Sequence, residues 1–430
     1  MTVIINGGNA DTGKLISKTY DIPGDKSISH RAVMLGAIAT GVTEATGFLT
    51  GDDCISTINC FRALGVEIEQ SGDKLRVTGR GELLEPDRVL DVGNSGTTMR
   101  LMAGILAGQP FKSNLTGDES IQKRPMRRIT EPLSLMGAKF SGDMAPLSIE
   151  GGRLKAINYT LPVASAQVKS AILLAGLYAD GETLVKEPIP SRDHTEIMLR
   201  QMGARIEKKS DIISCAPSPG LKAINIEVPG DISSAAFIMG LGAIIPGARV
   251  KLRKIGVNPT RTGIIDVLRR MGADIRLSNE CIKNGEAVAD IEVKHSRLKA
   301  TEISGGEIPT LIDEIPLIAA VALFAEGETV IRDAAELRVK ETDRIQVVAE
   351  EMGKFFEKTP IVTTNDGMII KGGLPAHGAK AASRGDHRIA MSLAVTALAA
   401  SGETEISGCE SADISFPGFF KLIPYSKCTF

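Results

Sequence analysis

Five times along the 430 residues a helix-like stretch ends in glycine and passes directly into a strand-like pair. The junctions are Leu64-Gly65-Val66, Met136-Gly137-Ala138, Met202-Gly203-Ala204, Met271-Gly272-Ala273 and Met352-Gly353-Lys354. Each glycine falls where a helix end needs a positive φ. Short alternating strands follow, as in Lys74–Thr78 and Met368–Ile370. A second motif interleaves with the first. Residues 29–43, 96–108, 167–183, 233–250, 315–330 and 387–404 are Ala/Leu/Ile-rich helices that run into a strand entry. Six copies at intervals of roughly 65 to 80 residues give a unit that reads strand–helix–strand–helix–strand–strand. The units fall into two sets of three, because Ile22-Pro23-Gly24-Asp25 returns as Val228-Pro229-Gly230-Asp231. The pattern predicts an α/β chain with one domain over 1–22 plus 230–430 and a second over 23–229. Crossovers near 22–24 and 228–231 form a hinge. The N-terminal strand belongs with the C-terminal half, whose last unit lacks its second half after residue 409.

Composition narrows the function classes. Lys plus Arg is 50 and Asp plus Glu is 52, so the chain lacks the positive field of a typical nucleic-acid binder. There is no Trp and aromatics are 4%, so the core is expected to be aliphatic. The most apolar runs, around 235–245 and 315–325, are too short to span a bilayer. No secretory signal is visible in the first fifteen residues. The six cysteines form no CxxC pair, and the five histidines no HxxxH or HExxH spacing, so the reading is of a cytoplasmic protein with reduced thiols and no metal. No P-loop and no Gly-x-Ser-x-Gly elbow occur.

Several repeat helices open on small polar residues: Gly24-Asp25-Lys26-Ser27, Gly93-Asn94-Ser95-Gly96, Ala164-Ser165-Ala166-Gln167 and Gly385-Asp386-His387-Arg388. Any one of them is explained by N-capping through Asp25, Ser165 or Asp386. Several in one chain also suit anions, since helix N-termini expose free N–H groups and a positive dipole end. Lys26 and Arg31 add cations, and Gln122–Arg128 packs four around a proline. In Leu337–Arg344, a helix would set Lys340 and Arg344 at i and i+4, a like-charge pair that an anion relieves. Glu341 beside Lys340 is a candidate proton carrier, with an exposed salt-bridged face as the plain alternative. Asp313-Glu314-Ile315-Pro316 opens an apolar helix. Its acids either complement the dipole or accept a proton from a substrate hydroxyl.

Taken together these segments resemble the 5-enolpyruvylshikimate-3-phosphate synthase (3-phosphoshikimate 1-carboxyvinyltransferase) family of enolpyruvyl transferases. The resemblance rests on eight ordered motifs: PGDKSISHR at 23–31, GNSGTTMR at 93–100, KRPM at 123–126, SAQVKSA at 165–171, SRDHTE at 191–196, DEIP at 313–316, LRVKETDR at 337–344 and GDHRIAMS at 385–392. It implies a two-domain inside-out α/β barrel, each domain three βαβαββ repeats, with a substrate cleft between them. It implies transfer of the enolpyruvyl group of phosphoenolpyruvate to the 5-hydroxyl of shikimate 3-phosphate, without cofactor or metal. Its partners are small anionic substrates, not nucleic acid or membrane, and the enzyme is a monomer. By resemblance Lys26, Ser27, Arg31, Ser165, Ala166, Gln167, Arg192, Asp313 and Lys340 bind shikimate 3-phosphate. Lys26, Gly96, Arg124, Gln167, Arg344 and Arg388 bind phosphoenolpyruvate. Lys26, Asp313 and Glu341 move protons, Asp313 near the hydroxyl and Glu341 near the methylene. At these motif positions seven cations stand against two acids.

The sequence departs from some family members, which carry Asn where Glu336 stands, Ser where Ala166 stands and Tyr where His194 stands. The nearest rival, the UDP-N-acetylglucosamine enolpyruvyl transferases, carries Lys-Asn where Lys26-Ser27 stands and a Cys in the mobile loop. The corresponding loop here, Gly117–Met126, has no Cys. A non-catalytic repeat scaffold explains the periodicity but not the charge-paired motifs.

Overall fold

The computed structural model describes residues 1–429 and divides them into two units. One is discontinuous: Met1–Pro23, Pro229–Cys281 and Ala287–Phe430, of which Phe430 lies outside the described residues. The other is Gly24–Val228 with Ile282–Glu286. The chain passes from one unit to the other after Pro23 and back before Pro229. The segment Ile282–Glu286 groups with the second unit, apart from its neighbours in sequence. It is the tip of a long hairpin, Asp274–Lys283 and Glu286–Lys294.

Each unit holds three four-stranded sheets. In every sheet one edge pair of strands runs parallel, in four of the six across a helical crossover, and the remaining strands join antiparallel. Leu90–Asp91, Lys112–Thr116, Leu147–Glu150 and Lys139–Phe140 show the pattern in spatial order. Two sheets borrow their first strand from far along the chain. Ile226–Glu227 pairs with Thr40–Thr46 in one unit, and Thr19–Asp21 with Arg249–Gly256 in the other. A third is completed by the N-terminal strand Thr2–Gly7, which lies between Gly402–Ser407 and Lys427–Thr429.

The strands alternate buried and exposed residues, as in Lys74–Arg80, so each sheet has one wet face. The helix Ile232–Ile244 is buried at every position, and Ala166–Gly176, Ile315–Ala322 and His387–Ala399 nearly so. Helices inside and sheets outside follow from that contrast. Two separate hydrophobic cores result, one per unit, both dominated by Ala, Ile, Leu and Val. The discontinuous unit also packs Phe237, Phe416, Phe419 and Phe420 edge to face, with centroids 5.2–6.1 Å apart.

Four of the five junction glycines have positive φ: Gly65 at 82°, Gly137 at 112°, Gly203 at 90° and Gly272 at 100°. Gly353 is the exception and a correction. It remains inside the helix Arg344–Gly353, and the next strand, Ile361–Thr363, starts eight residues later. Phe355 and Phe356 fill the core between them.

Gly104 lets two central helices, Gly96–Ala107 and Ala166–Gly176, approach closely. A Cβ there would sit 2.3 Å from the Ala171 carbonyl oxygen. Alanine in a helix interior ordinarily gains up to about 1 kcal/mol over glycine. Here the clash is backbone against Cβ, no side chain can yield, and overpacking costs about 1–3 kcal/mol. Gly104→Ala is therefore expected to lower the midpoint of chemical denaturation, and a raised midpoint would refute this packing.

Candidate active site

In the Gly24–Val228 unit, three helix starts carry the site residues. Asp25, Ser95 and Ser165 each cap a helix by accepting from the backbone N–H three residues on, at 2.9, 3.1 and 3.4 Å. The Asp25 cap places Lys26 and Ser27 in the first turn of Lys26–Ile38, with Arg31 one turn further. Lys26 Nζ reaches Asp53 Oδ2 at 3.1 Å. Arg31 is buried and its guanidinium is fully directed: Nε donates to Thr195 Oγ1 at 2.7 Å, Nη2 to Ser170 Oγ at 2.9 Å and Nη1 to the Ser27 carbonyl at 2.9 Å. Burial pulls its pKa down to about 10, with Arg192 contributing repulsion, and it stays a cation at neutral pH. Burial, with Lys26 and Arg31 nearby, holds the His30 imidazole well below its ordinary value, so it is neutral.

The other two helix starts meet. Arg100 Nη1 donates to Gln167 Oε1 at 2.6 Å, and Gln167 Nε2 to Thr97 Oγ1 at 3.1 Å. Arg124 Nη2 donates to Asn94 Oδ1 at 2.7 Å and to Ser120 Oγ at 3.1 Å. Gly96 lies under both arginines: a Cβ there would be 2.9 Å from Arg100 Nη1 and 3.4 Å from Arg124 Nη1. Lys26, Ser27, Arg31, Gly96, Arg124, Ser165, Ala166, Gln167 and Arg192 thus all belong to this one unit.

In the discontinuous unit Arg344 is the hub. Its side chain is 1% exposed. It meets Asp386 at 2.8 Å through Nε, Glu341 at 2.6 Å through Nη2 and Asp313 at 3.5 Å through Nη1. Burial opposes its charge, but the three carboxylates hold the guanidinium above its ordinary value. Burial likewise opposes the charge of Asp386, and Arg344 overrides it, keeping that carboxyl below the usual carboxylate range. Arg388 follows the Asp386 cap and lies 4.0 Å from Asp313 and 3.4 Å from buried Glu314. Glu314 also accepts from Ser233, which Arg261 holds at 2.8 Å.

Two expectations are corrected here. Leu337–Arg344 is not one helix: a 3₁₀ turn ends at Val339, Lys340 is extended, and a new helix starts at Arg344 under the Asp343 cap. Lys340 therefore pairs with Glu336 at 3.2 Å, while Glu341 turns to Arg344. The seven cations are also answered by more than two acids, because Asp53, Glu314, Glu336 and Asp386 join Asp313 and Glu341. Asp386 had been visible only as a cap, and it is both cap and counter-ion. Arg100, Asn94, Ser170 and Thr195 lie inside the quoted motifs, but nothing in their spacing marked them as partners of the site residues.

These two clusters have relatives. The family model for EPSP synthase (3-phosphoshikimate 1-carboxyvinyltransferase) matches residues 10–423. The chain belongs to the EPSP synthase family. A 3-phosphoshikimate 1-carboxyvinyltransferase of Brevibacillus brevis is 55% identical over 416 residues, covering 95% of this chain and 97% of the relative. One from a Thermoanaerobacter species is 53% identical over 412 residues, with the same coverage. The solved EPSP synthase of Acinetobacter baumannii superposes with a TM-score of 0.86 at 47% identity, over 98% of this chain and 97% of that one. The EPSP synthase reaction moves the enolpyruvyl group of phosphoenolpyruvate to the 5-hydroxyl of shikimate 3-phosphate and releases phosphate. That is the reaction of this chain, a transferase of aromatic amino acid biosynthesis. Among the described residues no helix is long and apolar enough to cross a membrane.

Proposed function

We propose that the residues of the two clusters divide this reaction between holding anions and moving protons. The observation that carries the reading is that Asp313 and Glu341, the two of Arg344's three carboxylates with partly exposed side chains, both lie on its guanidinium. A reaction that adds an alcohol across an enol needs one group to take the hydroxyl proton and one to protonate the methylene. It also needs cations for the phosphate and carboxylate. Asp313 takes the proton of the 5-hydroxyl as its oxygen bonds to the enol carbon. Glu341 protonates the methylene, giving a tetrahedral intermediate. The C–O bond to phosphate then breaks, and a proton leaves the new methyl group to restore the enol. Lys26 serves both proton steps.

Ser27, Arg31, Ser165, Ala166, Gln167, Arg192 and Lys340 hold shikimate 3-phosphate. Gly96, Arg124, Arg344 and Arg388 hold phosphoenolpyruvate, with Gln167 shared. Arginine suits both anions because its planar fork binds carboxylate and phosphate oxygens in pairs. The same reading takes the enzyme as a cytoplasmic monomer acting on small anions alone. The test is phosphate release by purified protein given both substrates, with each omitted in turn. Release that requires both is expected; release without shikimate 3-phosphate, or none from folded protein, would overturn the reading.

Gly96→Ala checks the division of labour. The added methyl comes within 2.9 Å of Arg100 Nη1, a flexible end that yields rather than breaks the fold, and touches Arg124 Nη1 at 3.4 Å, so it narrows the space beside both guanidiniums. The KM for phosphoenolpyruvate is expected to rise roughly tenfold, with that for shikimate 3-phosphate changed less than about twofold. Steady-state kinetics with each substrate varied separately measures both.

A further inference from the structure

Lys169 is fully buried in the helix Ala166–Gly176, and none of the roles above uses it. Its ammonium lies 2.8 Å from Glu187 and 2.8 Å from Glu196 and donates to the Ser191 carbonyl at 3.2 Å, so three oxygens surround it. Glu187 is as buried as Lys169 and accepts from the Ser191 backbone N–H at 2.9 Å and from the Ser191 hydroxyl. Residues 187–193 have no helix or strand of their own. Lys169 therefore grips this irregular segment at Glu187 and Ser191, and the helix that follows it at Glu196. Arg192 lies between those points. Next to the ion cluster runs a parallel set of hydroxyl contacts. Ser170 and Thr195, the neighbours of Lys169 and Glu196, are 2.7 Å apart, and both accept from Arg31.

We propose that Lys169, with Glu187 and Glu196, is a positioning device for shikimate 3-phosphate binding: it fixes where Arg192 stands and, through Thr195 and Ser170, where the Arg31 guanidinium points. A buried ion cluster is a poor source of stability, since desolvation consumes most of the attraction, so its use here is to specify geometry. Burial opposes the charge of Lys169, and Glu196 and Glu187 together raise its pKa above the ordinary value, so the clamp stays charged at working pH. The inference rests on the assignment of Arg31 and Arg192 to shikimate 3-phosphate.

Lys169→Met alone takes the ion-pair partner from buried Glu196 and leaves buried Glu187 with only Lys208 at 3.5 Å, and is expected to impair folding. The informative variant is the triple Lys169→Met, Glu187→Gln, Glu196→Gln, which preserves volume and removes all three charges. The expected result is a folded enzyme whose KM for shikimate 3-phosphate rises roughly tenfold or more, while the KM for phosphoenolpyruvate stays within about twofold. Glu196→Gln, which leaves one carboxylate on the ammonium, should show a smaller shift of the same kind and serves if the triple variant does not fold. If either variant folds with both KM values native, the cluster is structural only and the proposal fails. Arg31→Lys in the native background separates the underlying assignment. An unchanged KM for shikimate 3-phosphate there would remove Arg31 from that site, whatever the clamp variants show.

Discussion

Arg344→Met is expected to lower turnover by roughly a thousandfold and the thermal midpoint by roughly 6–20 °C. The two losses share one cause. Arg344 is buried among Asp313, Glu341 and Asp386, so methionine leaves three carboxylates facing one another without their common cation. Removing one partner from a buried ion pair costs about 3–5 kcal/mol, mostly as the uncompensated charge left behind. Arg344→Lys keeps the charge but has no planar fork to span three acids, and should fall between the two. The sign with pH is fixed by Asp386. Its folded pKa is below the ordinary value because of Arg344, so its stabilisation is complete above the unfolded value of about 3.9. It is lost as pH falls through the depressed folded value. In the methionine variant the crowded carboxylates protonate more readily than in the native protein. The deficit in thermal midpoint should therefore be largest near pH 7 and shrink toward pH 4. A deficit that is constant or grows on acidification would contradict the assignment of Arg344 as their counter-ion.

Lys26→Met should shift the balance: a kcat loss of roughly 10²–10⁴ with a smaller fall in thermal midpoint than Arg344→Met. Lys26 stands at the first position of its helix, is partly exposed, and the helix cap is made by Asp25. Its removal leaves buried Asp53 short of one partner, but the pair is partly open at Lys26, so the loss is expected to be about 1–3 kcal/mol, below that of Arg344. Single-turnover kinetics would place the loss in chemistry, since substrate binding retains the arginines. A variant that keeps native kcat but binds shikimate 3-phosphate weakly would make Lys26 an anion-binding group alone.

Most of the architecture was legible because its signals are local. Gly65, Gly137, Gly203 and Gly272 terminate helices by a backbone requirement that sits in one residue, and Asp25, Ser95, Ser165 and Asp386 cap within three positions. The pairing of charges was not legible. Asp53 is 27 residues from Lys26, and Asp386 is 42 from Arg344; nothing in their neighbourhoods records the partner. Charge counting within motifs accordingly found the cations and missed most of their acids. The segment Leu337–Arg344 misled for a related reason: its composition suits a helix, but Asp343 caps a new one and breaks the register. Lys169 was not legible as part of a cluster, because only the tertiary structure brings Glu187 and Glu196 to it.

The borrowed strands set the order in which a ribosome can finish this protein. Thr2–Gly7 emerges some 400 residues before its partners Gly402–Ser407 and Lys427–Thr429. Through most of synthesis that strand has two unpaired edges and no sheet to join. The inserted unit is different: its late strand, Ile226–Glu227, completes the sheet begun at Thr40, so it can close once about half the chain has emerged. The nascent protein is therefore expected to carry a folded middle between an early strand and an unfinished end. Contacts spanning some 400 residues make the final closure the slow, aggregation-exposed event.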